Sequence, residues 1–289
     1  MSKTDCDIRN ERLWTKSGKN ILPVIPGVDF VGKVVRCGEM ATINYGINVD
    51  DRVASLIQTG GNCKYLVEHA NQLVQVPKKL KADKATVMVE IYLSAFQMLL
   101  IGITGEDRYQ SRPLNGKEIL ILGGISTVNQ AMIELAVFLG AKNVYTTSLP
   151  KHYTFLQELG ATTLDIRPEC WLKIVQGKMD LAVDSLCDDH YDSPWKALNS
   201  NGKLVCNGMQ TIMNEGPGCI NTFEQFWART KSACMPRTHY YDVYSHWENN
   251  LEESKVCIVY IHFNLVHIVA LDMKNEDLTL LAIAILITY

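Results

Sequence analysis

From residue 115 to residue 209 the chain alternates between short apolar strands and helical stretches, and this alternation restricts the fold more than any other feature. NGKEILILGG is a turn followed by a continuous apolar strand, the pattern of a strand covered on both faces of a parallel sheet. STVNQAMIELAVFLGA then predicts a helix ending at Gly140, and KNVYTTS a strand. LPKHYTFLQELGA predicts a helix with Pro150 in its first turn, and TTLDI a strand. CWLKIVQG reads as a short helix, MDLAVDSLC as a strand, YDSPWKALNSNG as a helix and KLVCNGM as a strand. Such alternation with short connections requires a doubly wound parallel sheet, so the fold class is α/β.

Upstream the texture differs. Residues 20–80 read as β structure: VGKVVRCG and DRVASLI are short β-rich runs, and CKYLVEHANQLVQVP continues the pattern to Pro77. A helix, KADKATVMVEIYLSAFQMLLIG, joins the two regions. A length of 289 residues allows one large domain or two ordinary ones, and 47% apolar residues suffice for their cores. The net charge of −3, with no Lys/Arg block, argues against nucleic acid as a partner. Nine cysteines without a C-x-x-C pair point to free thiols in a reducing compartment. The polar N-terminus lacks the apolar core of a secretory signal, so the expected location is cytoplasmic. Two late stretches, 256–271 and 278–289, are strongly apolar. The second is shorter than the about 20 residues a membrane-spanning helix needs, and no firm membrane association is expected.

Several segments, in order, resemble the medium-chain dehydrogenase/reductase family: LPVIPGVDFVGKVVRCG, GINVDDRVASL, GGNCKYLVEHANQLVQVPKKL, YLSAFQML, LILGGISTV, FLQELGATTLDI and LNSNGKLVCNGM. The branch they look most like is the zinc-free quinone oxidoreductases, the zeta-crystallin-like group. The resemblance implies a GroES-like β domain over residues 1–100 and a Rossmann nucleotide-binding domain over 101–235. Residues 236–289 would return to the β domain with an atypical apolar tail. It also implies a cleft between the domains for cofactor and substrate, and a homodimer formed through the Rossmann domain. The zinc branch carries Gly-His-Glu where this chain has Gly27-Val28-Asp29; valine cannot ligate a metal, so no family-type zinc site is expected.

The phosphate loop of the related enzymes reads like GGASGVG, and here it is Gly123-Gly124-Ile125-Ser126-Thr127-Val128-Asn129. Thr127 and Asn129 stand in place of glycines, and the β-branched Thr127 is expected to impede close approach of a pyrophosphate. The hydroxyls of Ser126 and Thr127 offer compensation, by capping the helix or by donating to a phosphate. Two readings stand: a loop that still holds a nucleotide, and an ordinary capped strand-helix turn. Strand NVYTTS ends without the acid that would bind the ribose hydroxyls of NAD, while Lys151 and His152 follow it, which favours NADP. Thr146, Thr147 and Ser148 lie in the same region.

By the same resemblance Ser94 replaces a threonine near the nicotinamide, and the backbone of Gly208 faces that ring. Asp5 and Arg9 match a cleft-lining pair. A plain helix serine and an exposed salt bridge are the competing readings for Ser94 and for Asp5 with Arg9. His69 and His190 read as structural, and Asp184 as a turn cap. No catalytic side chain is assigned, as expected if hydride transfer is assisted mainly by orientation.

The sequence departs from the family at both ends. The family carries further strands before the segment matching residue 2, so the β domain is expected to lack its first strands, and the resemblance stops after Lys255. Codons for Val256-Cys257-Ile258 can read as an intron donor, so the tail is expected to be read-through that adds nothing to the βαβ pattern. A hydrophobic partner-binding tail is the alternative. The function expected is that of an NADP-dependent, zinc-free oxidoreductase acting on a small quinone or α,β-unsaturated carbonyl. The alternatives are a catalytically inactive scaffold and a membrane-associated relative using the tail.

Overall fold

The computed structural model describes residues 3–9, 23–101, 103, 107, 109–207, 230 and 234–269. After helix α1 (Lys3–Arg9) come strand β1 (Asp29–Lys33), helix α2 (Glu39–Tyr45) and strands β2 (Arg52–Leu56) and β3 (Val74–Gln75). These strands form an antiparallel sheet in the order β1-β2-β3, with Asp29 opposite Leu56 and Ala54 opposite Val74. The expectation of β structure throughout 20–80 therefore needs correcting at α2. Gly46 closes that helix in the left-handed conformation at φ 64°, and none of its residues is buried.

The connecting helix is continuous but not uniform. Residues Ala82–Val87 (α3) and Leu93–Leu99 (α4) flank a π turn at Met88–Tyr92. Every side chain of α4 is buried. The π turn is fastened by the Tyr92 hydroxyl, which donates to Glu134 at 2.6 Å.

The second sheet has six parallel strands in the order β6-β5-β4-β7-β8-β9: β4 (Glu118–Leu122), β5 (Asn143–Ser148), β6 (Thr162–Asp165), β7 (Met179–Asp184), β8 (Leu198–Cys206) and β9 (Thr238–Tyr240). Helices α5 (Thr127–Phe138), α6 (Tyr153–Glu158), α7 (Pro168–Val175) and α8 (Asp192–Ala197) connect them. Helices α9 (Val243–Asn249) and α10 (Leu251–Val269) follow β9. The fold is α/β, a parallel Rossmann-like sheet with a separate antiparallel sheet, as expected. The YDSPWKALNSNG helix stops at Ala197, and Leu198 onward joins β8. The parallel sheet runs on to Tyr240, past residue 235.

Period-two alternation explains why the central strands are apolar throughout. Ile119 and Ile121 of β4 point into one core with α4 and α5, while Leu120 and Leu122 point into another with Trp171 and Leu198. The first core also contains Cys257, Ile258 and Ile261 of α10. Beside them Gln97 donates to Ser254 at 3.0 Å and accepts from Tyr241 at 2.7 Å. Tyr260 packs on Phe96, with ring centroids 5.4 Å apart. Residues 256–261, expected only to add nothing to the βαβ pattern, are helical, and Cys257, Ile258 and Ile261 pack in this core. No described helix is long and apolar enough to cross a membrane.

Candidate functional site

Strand order reverses between β4 and β7, and an α/β sheet of this kind binds ligands beyond the carboxyl ends of its strands at such a switch. The β4–α5 loop lies there. Gly123 has φ 77°, a conformation that excludes most side chains. A Cβ on Gly124 would lie 2.2 Å from Thr146 Oγ1, which itself donates to Ile121 O at 2.8 Å. Both glycines therefore have packing reasons to be there. Ser126 caps α5 by accepting from the Asn129 amide at 3.3 Å.

The loop is braced from two sides. The backbone N–H groups of Gly123 and Gly124 donate to Thr147, one to its hydroxyl and one to its carbonyl, both at 3.0 Å. From the other side the Asn129 side chain donates to Leu122 O at 2.8 Å and Gly123 O at 2.9 Å, and accepts from Ser185 Oγ at 3.2 Å. Asn129 is fully buried and not at positive φ, so the tolerance of asparagine for that conformation is not what suits it to the site. In the sequence it reads as a replaced glycine, in a residue type that tolerates positive φ. The usable signal was an asparagine in the first turn of a helix, where its amide can reach back to nearby carbonyls. Thr127, also free of positive φ, opens α5 with an exposed side chain. The backbone N–H groups of Thr127 and Val128 have no carbonyl to donate to within the helix, and they are the anion-attracting end of α5.

At the end of β5, Thr147 lines a shallow depression together with Leu122, Ile166, Trp171, Asp188 and Pro194. The next residue, Ser148, is 4% exposed, and its hydroxyl has no hydrogen-bond partner among the described residues. Lys151 stands exposed three residues on, in the 3₁₀ turn Pro150–His152. A buried hydroxyl without a partner is uncommon and marks this strand end as a place where a polar group is missing one. Asp184 accepts from the N–H groups of Leu186 at 2.8 Å and Cys187 at 3.1 Å, the turn cap read from the sequence. Burial pushes its pKa up to about 6.

The remaining candidates gather elsewhere. Ser94 is buried on α4, and its hydroxyl donates back to Glu90 O at 2.6 Å, a bond internal to the helix. Asp5 is buried on α1, whereas Arg9 at the end of that helix is exposed. Asp29, which entered the sequence reading only through the missing zinc motif, lies near Asp5 and Glu90. Its pKa is raised to about 7, first by burial and then by those two carboxylates. The Tyr244 hydroxyl is buried near the same carboxylates and has no hydrogen-bond partner among the described residues. Tyr244 lies in the first turn of α9, just after β9, so this second cluster joins the antiparallel sheet to the carboxyl edge of the parallel one. Gly208 lies outside the described residues.

No family model matches the chain. Among curated proteins, the trans-enoyl reductase gkaC of Penicillium citrinum is 26% identical over 147 residues, 47% of this chain and 40% of that protein. The quinone oxidoreductase-like protein 2 homologue of Nematostella vectensis is 27% identical over 150 residues, 51% of this chain and 38% of its own. The synaptic vesicle membrane protein VAT-1 homologue of Rattus norvegicus is 25% identical over 202 residues, 68% of this chain and 47% of its own. The chain spans about half the length, or less, of these relatives. Among solved structures, CurK enoyl reductase has a TM-score of 0.58 at 19% identity, covering 84% of this chain and 67% of that one. Escherichia coli K-12 YhdH with bound NADPH has a TM-score of 0.56 at 22% identity, covering 72% and 63%. The chain is thus similar to trans-enoyl reductases, quinone oxidoreductase-like proteins and VAT-1 proteins, and it shares the fold of the enoyl reductase and NADPH-bound structures above.

Proposed function

We propose that the chain is a zinc-independent, NADP-dependent oxidoreductase that reduces an α,β-unsaturated carbonyl or a quinone. The observation that carries this reading is the open Ser148 hydroxyl at the end of β5, with Lys151 after it and the capped start of α5 beside it. The first-turn amides and hydroxyl of Thr127, with the Val128 amide, would hold the pyrophosphate. Ser148 and Lys151 would hold the ribose and its 2′-phosphate. A bound nicotinamide supplies the hydride. The chain's own part is to orient, to exclude water and to hold a proton. Asp29, protonated up to about pH 7, is suited to the last of these. Zinc-independence rests on Val28, a buried side chain with no ligand atom. Consumption of NADPH in the presence of an enone or a quinone, unaffected by a metal chelator, is the expected result. An absence of turnover with a broad panel of both acceptors would reject the activity.

A second reading, an inactive scaffold, has its own support. The N–H groups of Gly123 and Gly124 already donate to Thr147, and Asn129 stands where related loops carry a glycine. It predicts folded protein that binds no nicotinamide cofactor.

A further inference from the structure

The Asn129 side chain leaves none of its bonding capacity to solvent. Its two N–H donors serve Leu122 O and Gly123 O, and its oxygen accepts from Ser185 Oγ. Leu122 ends β4, and Ser185 directly follows β7. These strands are the neighbours between which the sheet order reverses, and their ladder ends at the pair Leu122 and Asp184. The Asn129–Ser185 contact thus continues the tie between the two strands one residue past the last paired position, at the floor of the switch crevice. Ser185 is 8% exposed and Asn129 is fully buried, so water does not replace either partner readily.

We propose that Asn129 and Ser185 form a latch across the crevice, a pair of positioning residues that fixes the Gly123–Ser126 loop for a dinucleotide phosphate. The inference rests on the cofactor reading above and adds residues to it. Two carbonyls at the end of β4 are held toward α5 by one amide, which sets the direction of the peptide planes at Leu122 and Gly123. Those planes carry the chain into the loop and so fix where the amide groups of the α5 start point. The latch also bears on the glycine that related loops carry at this position. A glycine at position 129 does not restore a better phosphate seat. It takes the side-chain donor from the buried Leu122 O, leaves Gly123 O with the Ser126 N–H alone, and unfastens the loop.

The test is calorimetric titration of NADPH into the full chain and its Asn129→Gly, Ser185→Ala and double variants. Melting is measured in parallel, and the titrations run at a temperature where every variant is folded. Ser185→Ala removes one hydroxyl and keeps the fold within reach if Asn129→Gly is too unstable to study. The expected result is about tenfold weaker binding by Asn129→Gly and a smaller loss for Ser185→Ala. The double variant should bind no worse than Asn129→Gly alone, because both changes break one device. Variants that melt earlier but bind NADPH as the native chain does would overturn the latch, leave the cofactor reading intact and make Asn129 a structural residue only. A native chain that binds no NADPH would overturn the cofactor reading and the latch with it.

Discussion

Gly124 and Asp29 are single residues whose surroundings decide what they tolerate. A methyl group at Gly124 would sit 2.2 Å from Thr146 Oγ1, and that hydroxyl is committed to Ile121 O. Gly124→Ala should therefore lower stability by about 1–3 kcal/mol in urea unfolding. Adding Thr146→Ala should recover part of the loss by opening the space; additive effects of the two changes would contradict the contact. Asp29 is a titration experiment in itself. Its folded pKa of about 7 exceeds the ordinary 3.8, so the folded state holds the proton more tightly. The stabilisation from this group is full below the ordinary value and is lost as pH rises through about 7. Asp184 acts in the same direction through about 6. Asp29→Asn should consequently flatten the fall in stability on going from acid to neutral pH. The expected difference is on the order of 1–2 kcal/mol, allowing for partial solvent screening. Parallel profiles for the native chain and Asp29→Asn would show that its carboxyl titrates normally.

At the scale of elements, α10 is where packing and sequence reading part company. Its residues after Lys255 looked foreign because their Ile and Val content matched no expected pattern. The structure uses them as one more helical face against α4, with Cys257 and Ile261 almost wholly buried. Ile261→Ala should cost about 2–5 kcal/mol, measured by urea denaturation, and a chain ending at Lys255 should lose more. A shortened chain as stable as the full one would refute that packing. A strand was anticipated for each of β4 to β8, most plainly for β4, where burial on both faces leaves a nearly unbroken apolar run, although β8 begins at Leu198, within residues read as helix. Helix α2 was not, since it buries nothing and its two bounding glycines read equally well as strand ends. In the candidate site, Gly123, Gly124, Ser126 and Thr147 were legible because a strand-turn-helix junction restricts its residues locally. Asn129 with Ser185, and Asp29 with Glu90 and Tyr244, were not. Each depends on segments brought together only by the tertiary fold, so no spacing along the chain announces them.

At the scale of the molecule, two sheets are joined through the helix α3–α4 and through α9. The Trp247 indole of α9 donates to Gln72 beside β3 at 2.8 Å, and Gln58 after β2 donates to Glu248 at 3.1 Å. These ties hold the Asp29 cluster against the carboxyl edge of the parallel sheet, where the account sets its chemistry. In the function proposed above, this edge receives a nicotinamide dinucleotide, and the buried hydroxyl of Ser148 with Lys151 favours the one bearing a 2′-phosphate. Calorimetric titration of the native chain with NADPH and with NADH tests it most directly. Saturable one-to-one binding of NADPH is expected, tighter than NADH by about tenfold or more. That preference should shrink in Lys151→Ala. Equal affinity for the two nucleotides would contradict the assignment of Ser148 and Lys151, and the absence of binding by either would contradict the central claim.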